Sequence, residues 1–167
     1  FLDHVDRTAA KIGAINTIVV EQGRLIGYNT DATGALRALR DGGVDLQGRH
    51  VVILGSGGAA RPIAIALAAD AAVEQLTLLG IDDHERAALA RDVRSTSALI
   101  VEDAHLDEAA LDKILPRAQV LIHCTPIGMS PKTNATCVPA SFLHAGLAVM
   151  DIVYNPRETQ LLKDAVQ

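Results

Sequence analysis

Tryptophan is missing from this chain of 167 residues, and phenylalanine and tyrosine occur twice each. With aromatics at 2% and apolar residues at 49%, the chain can bury a core. That core has to be built from Ala, Val, Leu and Ile, the composition of helix-covered parallel sheets. No cluster of Lys or Arg occurs, and 20 acidic against 15 basic side chains leave a formal charge of -5. Nucleic acid is therefore not the expected partner. Only two cysteines are present, Cys124 and Cys137. They lack the spacing of metal ligands and read as reduced cytosolic thiols, so no metal is expected. A secretory apolar region and an apolar run of membrane length are also absent, and the expectation is a soluble, cytoplasmic protein without a membrane partner. The length allows one domain or slightly more. The chain opens on Phe1 instead of Met and stops at Gln167 inside a helical pattern, so it reads as a piece of a larger protein.

What is present is concentrated first in residues 51–61. Four strand-forming residues, Val51 to Leu54, run into Gly55-Ser56-Gly57-Gly58, and Ala59-Ala60-Arg61 open an almost wholly apolar helical stretch. Glycine permits a tight turn and close backbone approach, while a helix start offers free N–H groups and partial positive charge. The pattern predicts an anion cradle of the kind that holds a dinucleotide pyrophosphate, against the simpler reading of a tight turn alone.

From residue 50 onward strands and helices alternate. His50–Leu54, Gln75–Leu79, Ala98–Val101, Val120–His123 and Ala148–Val153 read as strands. Ala59–Ala69, His84–Arg94, Asp107–Leu115 and Glu158–Val166 read as helices. That is the βαβ order of an open, doubly wound sheet. Upstream, a helix is expected over Leu2–Ile12, then strands over Ala14–Val20 and Arg24–Gly27, and a helix over Asp31–Leu39 stopped by Asp41-Gly42-Gly43. Residues 1–30 thus supply a helix and a strand pair with no visible sheet partners.

Four further stretches carry chemistry: Gly13-Ala14-Ile15-Asn16-Thr17, Gly27-Tyr28-Asn29-Thr30-Asp31, Thr125-Pro126-Ile127-Gly128-Met129, and Asp151-Ile152-Val153-Tyr154-Asn155-Pro156 followed by Thr159. With the glycine turn, in this order and spacing, the chain resembles the shikimate dehydrogenase family, including its quinate/shikimate branch, from about Ile12 to the C-terminus. The resemblance implies an α/β fold: a Rossmann-like, doubly wound, mostly parallel sheet with helices on both faces, plus part of a substrate domain. It divides the chain into residues 1–30 (end of the substrate domain), 31–49 (linking helix and turn), 50–155 (dinucleotide-binding domain) and 156–167 (a helix returning toward the substrate domain).

The resemblance also implies roles. Asn16 would hydrogen-bond hydroxyls of a cyclic polyol carboxylate, to which an amide can both donate and accept. Asp31 would pair with a lysine as the acid/base couple at the substrate oxygen, which must gain or lose a proton when its carbon exchanges a hydride. Spacing alone favours Asp31 as a helix N-cap, and the retained Gly-Tyr-Asn-Thr before it turns the reading toward the catalytic role, though one residue can do both. The family lysine lies upstream in a V-P-x-K stretch with no counterpart here, and Lys11 reads as a solvated helix residue. The family's serine-bearing substrate motif and a C-terminal glutamine are missing too, so the fragment is expected to bind cofactor but to turn over poorly or not at all. Gly55, Ser56, Gly57, Gly58 and Ala59 would hold the pyrophosphate. Thr125, Met129 and Ile152 would line the nicotinamide side, and Tyr154 would reach the substrate carboxylate. Unaided by the motif, Thr125 to Met129 is a Pro/Gly turn and Tyr154 a core tyrosine. Relatives usually carry Asn-Ala before this Thr where His123-Cys124 stand here; His123 is expected to be a strand-end residue satisfied by backbone.

Relatives that use NADP show Asn-Arg-Thr after the second nucleotide-domain strand, and Ile81-Asp82-Asp83 stand over it here. A carboxylate accepts from a ribose 2′-hydroxyl and repels a 2′-phosphate, so NAD is expected over NADP, with Asp82 as leading contact and Asp83 in reserve. Either aspartate could instead cap the helix starting near His84. The alternatives to an enzyme of this family are a metabolite-sensing domain of the same fold and a dehydrogenase acting on another substrate, such as a folate.

Overall fold

The computed structural model describes residues 1–70 and 72–167, with the backbone alone at residue 70. The chain begins with β1 (His4–Val5), α1 (Arg7–Ile12), β2 (Thr17–Glu21), β3 (Arg24–Tyr28) and α2 (Thr30–Asp41). Helix α1 is shorter than expected. The Asp6 carboxylate accepts from the N–H groups of Thr8 and Ala9 at 2.8 and 3.3 Å and so sets the helix start. Before that point the N–H groups of Asp3 and Asp6 donate to the carbonyls of Leu25 and Gly27. This draws residues 4–5 into a strand parallel to β3, and a partner more than twenty residues away leaves no local trace in the sequence. The strands form a three-stranded sheet in the order β1-β3-β2, with β2 antiparallel to β3. The expected strand pair therefore does have a sheet partner.

The second sheet is wholly parallel. Its strands are β4 (His50–Leu54), β5 (Gln75–Gly80), β6 (Ile100–His105), β7 (Val120–His123) and β8 (Ala148–Asp151), in the order β6-β5-β4-β7-β8. Between and after them lie α3 (Ala60–Asp70), α4 (Asp83–Thr96), α5 (Glu108–Ile114) and α6 (Gln160–Ala165), with 3-10 turns at Leu115–Arg117 and Ala140–Phe142. Strand β6 runs four residues beyond the expected Val101, because the polar stretch that ends it is neutralised from outside. Arg117 pairs with Glu102, and Arg86 and Arg94 pair with Asp103.

The central strands are buried along nearly their whole length, and successive side chains enter opposite cores with the period of two that a pleated strand requires. Val51 and Ile53 of β4, with Leu76 and Leu78 of β5, face the core shared with α2, α3 and α4. Val52, Leu54 and Leu79 face a second core with Leu111 and Ile114 of α5 and Leu161 of α6. Helices thus cover both faces, and among the described residues no Phe or Tyr is fully buried. The chain runs from β4 outward to β5 and β6, then crosses to β7 and β8 on the other side. The crevice between the C-terminal ends of β4 and β7 is therefore a topological switch point, where open α/β sheets bind their ligands.

Candidate functional site

The glycine turn leaves β4 at this crevice. Gly55 has φ of +104°, and a Cβ there would sit 2.9 Å from the carbonyl oxygen of Cys124, the residue just past β7, so only glycine lets the two strand ends meet. At Gly57 and Gly58 a Cβ would meet nothing within 4 Å; the surface in front of the turn is open to a ligand. Helix α3 starts at Ala60, one residue later than expected. In its first turn the Arg61 N–H already donates to the Gly57 carbonyl at 3.1 Å and Pro62 has no N–H, so it is the bare backbone of the glycine turn, with the positive end of the helix dipole behind it, that fits a pyrophosphate. Gly80, at the end of β5, is a contact that sequence reasoning missed: a Cβ there would lie 2.9 Å from the Ser56 hydroxyl oxygen.

A cavity of about 430 Å³ lies beside the turn, and Ala59, Thr125, Met129, Ile152 and Tyr154 line it together with Cys124. Residues from three separate motifs thus meet in one place. Met129 is 47% and Tyr154 88% exposed, so Tyr154 is a cavity-mouth residue and not part of the core.

Behind the cavity wall stands a polar network that the sequence reading did not anticipate. His123 is held by side chains, not by backbone as expected. Its Nδ1 lies 2.9 Å from Asp151 Oδ1 and its Nε2 lies 2.5 Å from Thr125 Oγ1. Asp151 also accepts from the Val153 N–H at 2.9 Å and from the Thr159 hydroxyl at 2.6 Å. The His123 and Asp151 side chains are 2% and 0% exposed. Burial pushes the His123 pKa down, but the bond to Asp151 and the adjacent Cys137 push it up further, to about 9. Burial likewise opposes ionisation of Asp151, yet its bonds to His123, Thr159 and Val153 hold its carboxyl below the ordinary carboxylate range. The pair is therefore an imidazolium–carboxylate at neutral pH. The only sequence signal was the coincidence of a strand-end His and a strand-end Asp, and their pairing required the β7–β8 register.

The upstream motifs flank α3. Arg61 donates from Nε to the Ile12 carbonyl at 2.9 Å and from Nη1 to Asp92 at 2.7 Å. It thereby ties the end of α1 and the Gly13–Thr17 stretch to the first turn after the glycines. Asn16 is exposed, and its Oδ1 accepts from the N–H and hydroxyl of Thr30 and from the Thr17 hydroxyl, at 3.0, 3.2 and 3.0 Å. The oxygen is committed to the start of α2, leaving the amide N–H₂ as the group free for a ligand. Asp31 is exposed in the first turn of α2 and is not the N-cap; Asn29 is, accepting from the Asp31 N–H at 3.2 Å. Lys11 is exposed at the end of α1 and forms no ion pair with Asp31 among the described residues.

At the far end of the crevice Asp82 caps α4, accepting from the Glu85 N–H at 2.9 Å through one carboxylate oxygen. Asp83 is bound by Arg86 at 2.6 Å and faces His105 at 3.4 Å. Both contacts hold its carboxyl below the ordinary range, Arg86 the more strongly. Arg86 also donates to the Gly80 carbonyl at 3.0 Å and lies 3.4 Å from Asp103. Among the described residues there is no group of three or more side chains suited to a metal ion, and no helix is long and apolar enough to cross a membrane.

Residues 51–167 match the family model of the saccharopine dehydrogenase NADP binding domain. The chain is 45% identical over 161 residues to a shikimate dehydrogenase (NADP(+)) of Methanosarcina mazei, covering 96% of this chain and 56% of the relative. A quinate/shikimate dehydrogenase of Shigella flexneri is 38% identical over 172 residues, which is 100% of this chain and 69% of that protein. The crystal structure of shikimate 5-dehydrogenase from Listeria monocytogenes, in complex with shikimate and NAD, superposes with a TM-score of 0.88 at 33% identity. It covers 99% of this chain and 58% of its own. The chain thus spans little more than half the length of two of these three relatives.

Proposed function

Given that this chain belongs to the shikimate dehydrogenase family and carries a dehydrogenase's nicotinamide-dinucleotide domain, we propose that it forms the cofactor half of an enzyme that moves a hydride between nicotinamide C4 and the hydroxyl- or ketone-bearing ring carbon of shikimate/3-dehydroshikimate, or of quinate. The single observation that carries this reading is the meeting of Ala59, Thr125, Met129, Ile152 and Tyr154 around one cavity beside the glycine turn. The division into residues 1–30, 31–49, 50–155 and 156–167, and a cytoplasmic location, belong to the same proposal.

The nicotinamide ring, when bound, supplies or accepts the hydride. The chain's own residues bind and orient. Gly55, Ser56, Gly57, Gly58 and Ala59 take the pyrophosphate on bare backbone and the α3 N-terminus. Thr125, Met129 and Ile152 flank the nicotinamide end and exclude water from it. Asn16 donates its amide N–H to a substrate hydroxyl, and Tyr154 offers its hydroxyl to the substrate carboxylate. Asp31, an exposed carboxylate at the start of α2, shares the proton of the reacting oxygen with a lysine that this chain does not contain. For that reason the chain by itself is an inactive or nearly inactive dinucleotide binder.

NAD is the proposed cofactor. Support comes from the β5–α4 loop: Asp82 keeps one carboxylate oxygen free for a ribose 2′-hydroxyl, and the nearby Arg86 is already engaged by Asp83, Asp103 and the Gly80 carbonyl. At about 4 Å and an effective dielectric near 20, a carboxylate and a phosphate charge repel by on the order of 4 kcal/mol before screening. The relatives' names point both ways, NADP(+) in Methanosarcina mazei and NAD in the Listeria monocytogenes complex. The test is spectrophotometric: shikimate and quinate oxidation by the longer protein containing this chain, with each dinucleotide in turn. NAD-linked oxidation of either polyol supports the reading. Absence of oxidation with both dinucleotides would refute the activity, and a clear NADP preference would refute the cofactor choice.

A further inference from the structure

His123 does not line the cavity, yet it determines what one cavity residue can offer. Asp151 is ionised and can only accept, so the proton between it and His123 belongs to Nδ1 in every state of the pair. The nitrogen left to titrate is Nε2, which faces Thr125 Oγ1 at 2.5 Å. That same oxygen accepts from the Ile127 N–H at 3.2 Å. When Nε2 carries a proton, it and the Ile127 N–H fill both lone pairs of the Thr125 oxygen. The hydroxyl proton is then free to point into the cavity that Thr125 lines. When Nε2 loses its proton to solvent, it becomes an acceptor and the Thr125 hydroxyl donates its hydrogen bond to it, so the cavity meets a lone pair of the Thr125 oxygen instead.

We propose that His123 is a positioning residue that sets the hydrogen-bonding polarity of Thr125, so that the protonated imidazole makes Thr125 a donor to a carbonyl or ribose oxygen of the nicotinamide half of the dinucleotide. This rests on the reading of the cavity as the nicotinamide site. The groups facing His123 are few. Asp151 comes from β8, and the Cys137 thiol lies against the ring from the segment before the second 3-10 turn. Cys124, next along β7, is pushed up to about 12 by burial, with Asp151 adding, and stays neutral. On the β4 side the register partner of His123 is the apolar Leu54. With the imidazole titrating at about 9, the donor form prevails at neutral pH.

The experiment compares two probes on the unmodified chain between about pH 7 and pH 10: NADH, and ADP-ribose, which lacks the nicotinamide. Loss of one well-placed hydrogen bond is worth about fivefold to tenfold in affinity. NADH binding should weaken by about that factor as pH rises through about 9, while ADP-ribose binding shows no matching step. Thr125→Val should bind NADH weakly at both ends of the range, with the step gone, and His123→Gln, which has no proton to lose, should also flatten the profile. Independently of any variant, nitrogen-15 spectra of the unmodified chain should show both ring nitrogens of one of its six histidines protonated at pH 8. An equal step for ADP-ribose, a step that survives in Thr125→Val, or six neutral imidazoles at pH 8 would each overturn the assignment. Failure of both probes to bind would instead remove the dinucleotide reading itself, and this assignment with it.

Discussion

Gly55 has φ of +104°, and a Cβ there would lie 2.9 Å from a backbone oxygen that cannot swing away. Gly55→Ala should therefore destabilise the chain by about 1–3 kcal/mol, through left-handed strain and forced separation of β4 from β7. It should also weaken dinucleotide binding in parallel, both read by urea unfolding with and without NADH. Asp31 differs in kind. It is exposed, and the α2 cap is Asn29, so Asp31→Asn should leave stability within about 0.5 kcal/mol and cofactor affinity unchanged. In a protein that supplies the proposed lysine, turnover should nevertheless fall by about a hundredfold or more; an unchanged rate would remove Asp31 from the site. The residue chemistry of both positions was legible in the sequence. What could not be read was the commitment of the Asn16 oxygen to Thr17 and Thr30, because that depends on how β2 and the start of α2 meet.

At the scale of elements, the clasp between the ends of β7 and β8 is the feature with the clearest signature. His123 has its folded pKa raised from 6.5 to about 9. Its contribution to stability is thus complete below about pH 6.5 and is lost as pH rises through about 9. Equilibrium unfolding across that window should show stability falling on the alkaline side by on the order of 1–3 kcal/mol. Asp151→Asn should remove the slope and cost about 3 kcal/mol by leaving a buried imidazole without its counter-charge. A flat profile in the unmodified chain would contradict the clasp. Strands β4, β5 and β7 were readable because each is a short apolar run ending at a turn signal. Strand β1 and the second half of β6 were not: one is two residues recruited by the distant carbonyls of Leu25 and Gly27, the other a polar run neutralised by Arg86, Arg94 and Arg117. In both, partners far along the chain outweighed local pattern.

For the molecule as a whole, strand order converts separate motifs into a site. Crossing from β6 to β7 brings Thr125 back beside Gly55, and β8 then delivers Ile152 and Tyr154 to the same cavity. The α/β class and the glycine turn could be read from residues 50–61 and the alternation that follows, whereas the His123–Asp151–Thr125 arrangement existed only once β7 and β8 were in register. The three-stranded sheet is less complete, with Ile18 and Val20 of β2 57% and 68% exposed, an apolar face of the sort that other parts of a protein cover. In the proposed function the crevice between β4 and β7 holds a nicotinamide dinucleotide and the acidic loop at Asp82-Asp83 favours NAD. Calorimetric titration of the unmodified chain with NAD and with NADP at neutral pH tests it most directly. NAD should bind saturably, with NADP weaker by about tenfold, the equivalent of about 1.4 kcal/mol. No binding of either dinucleotide, or tighter binding of NADP, would contradict it.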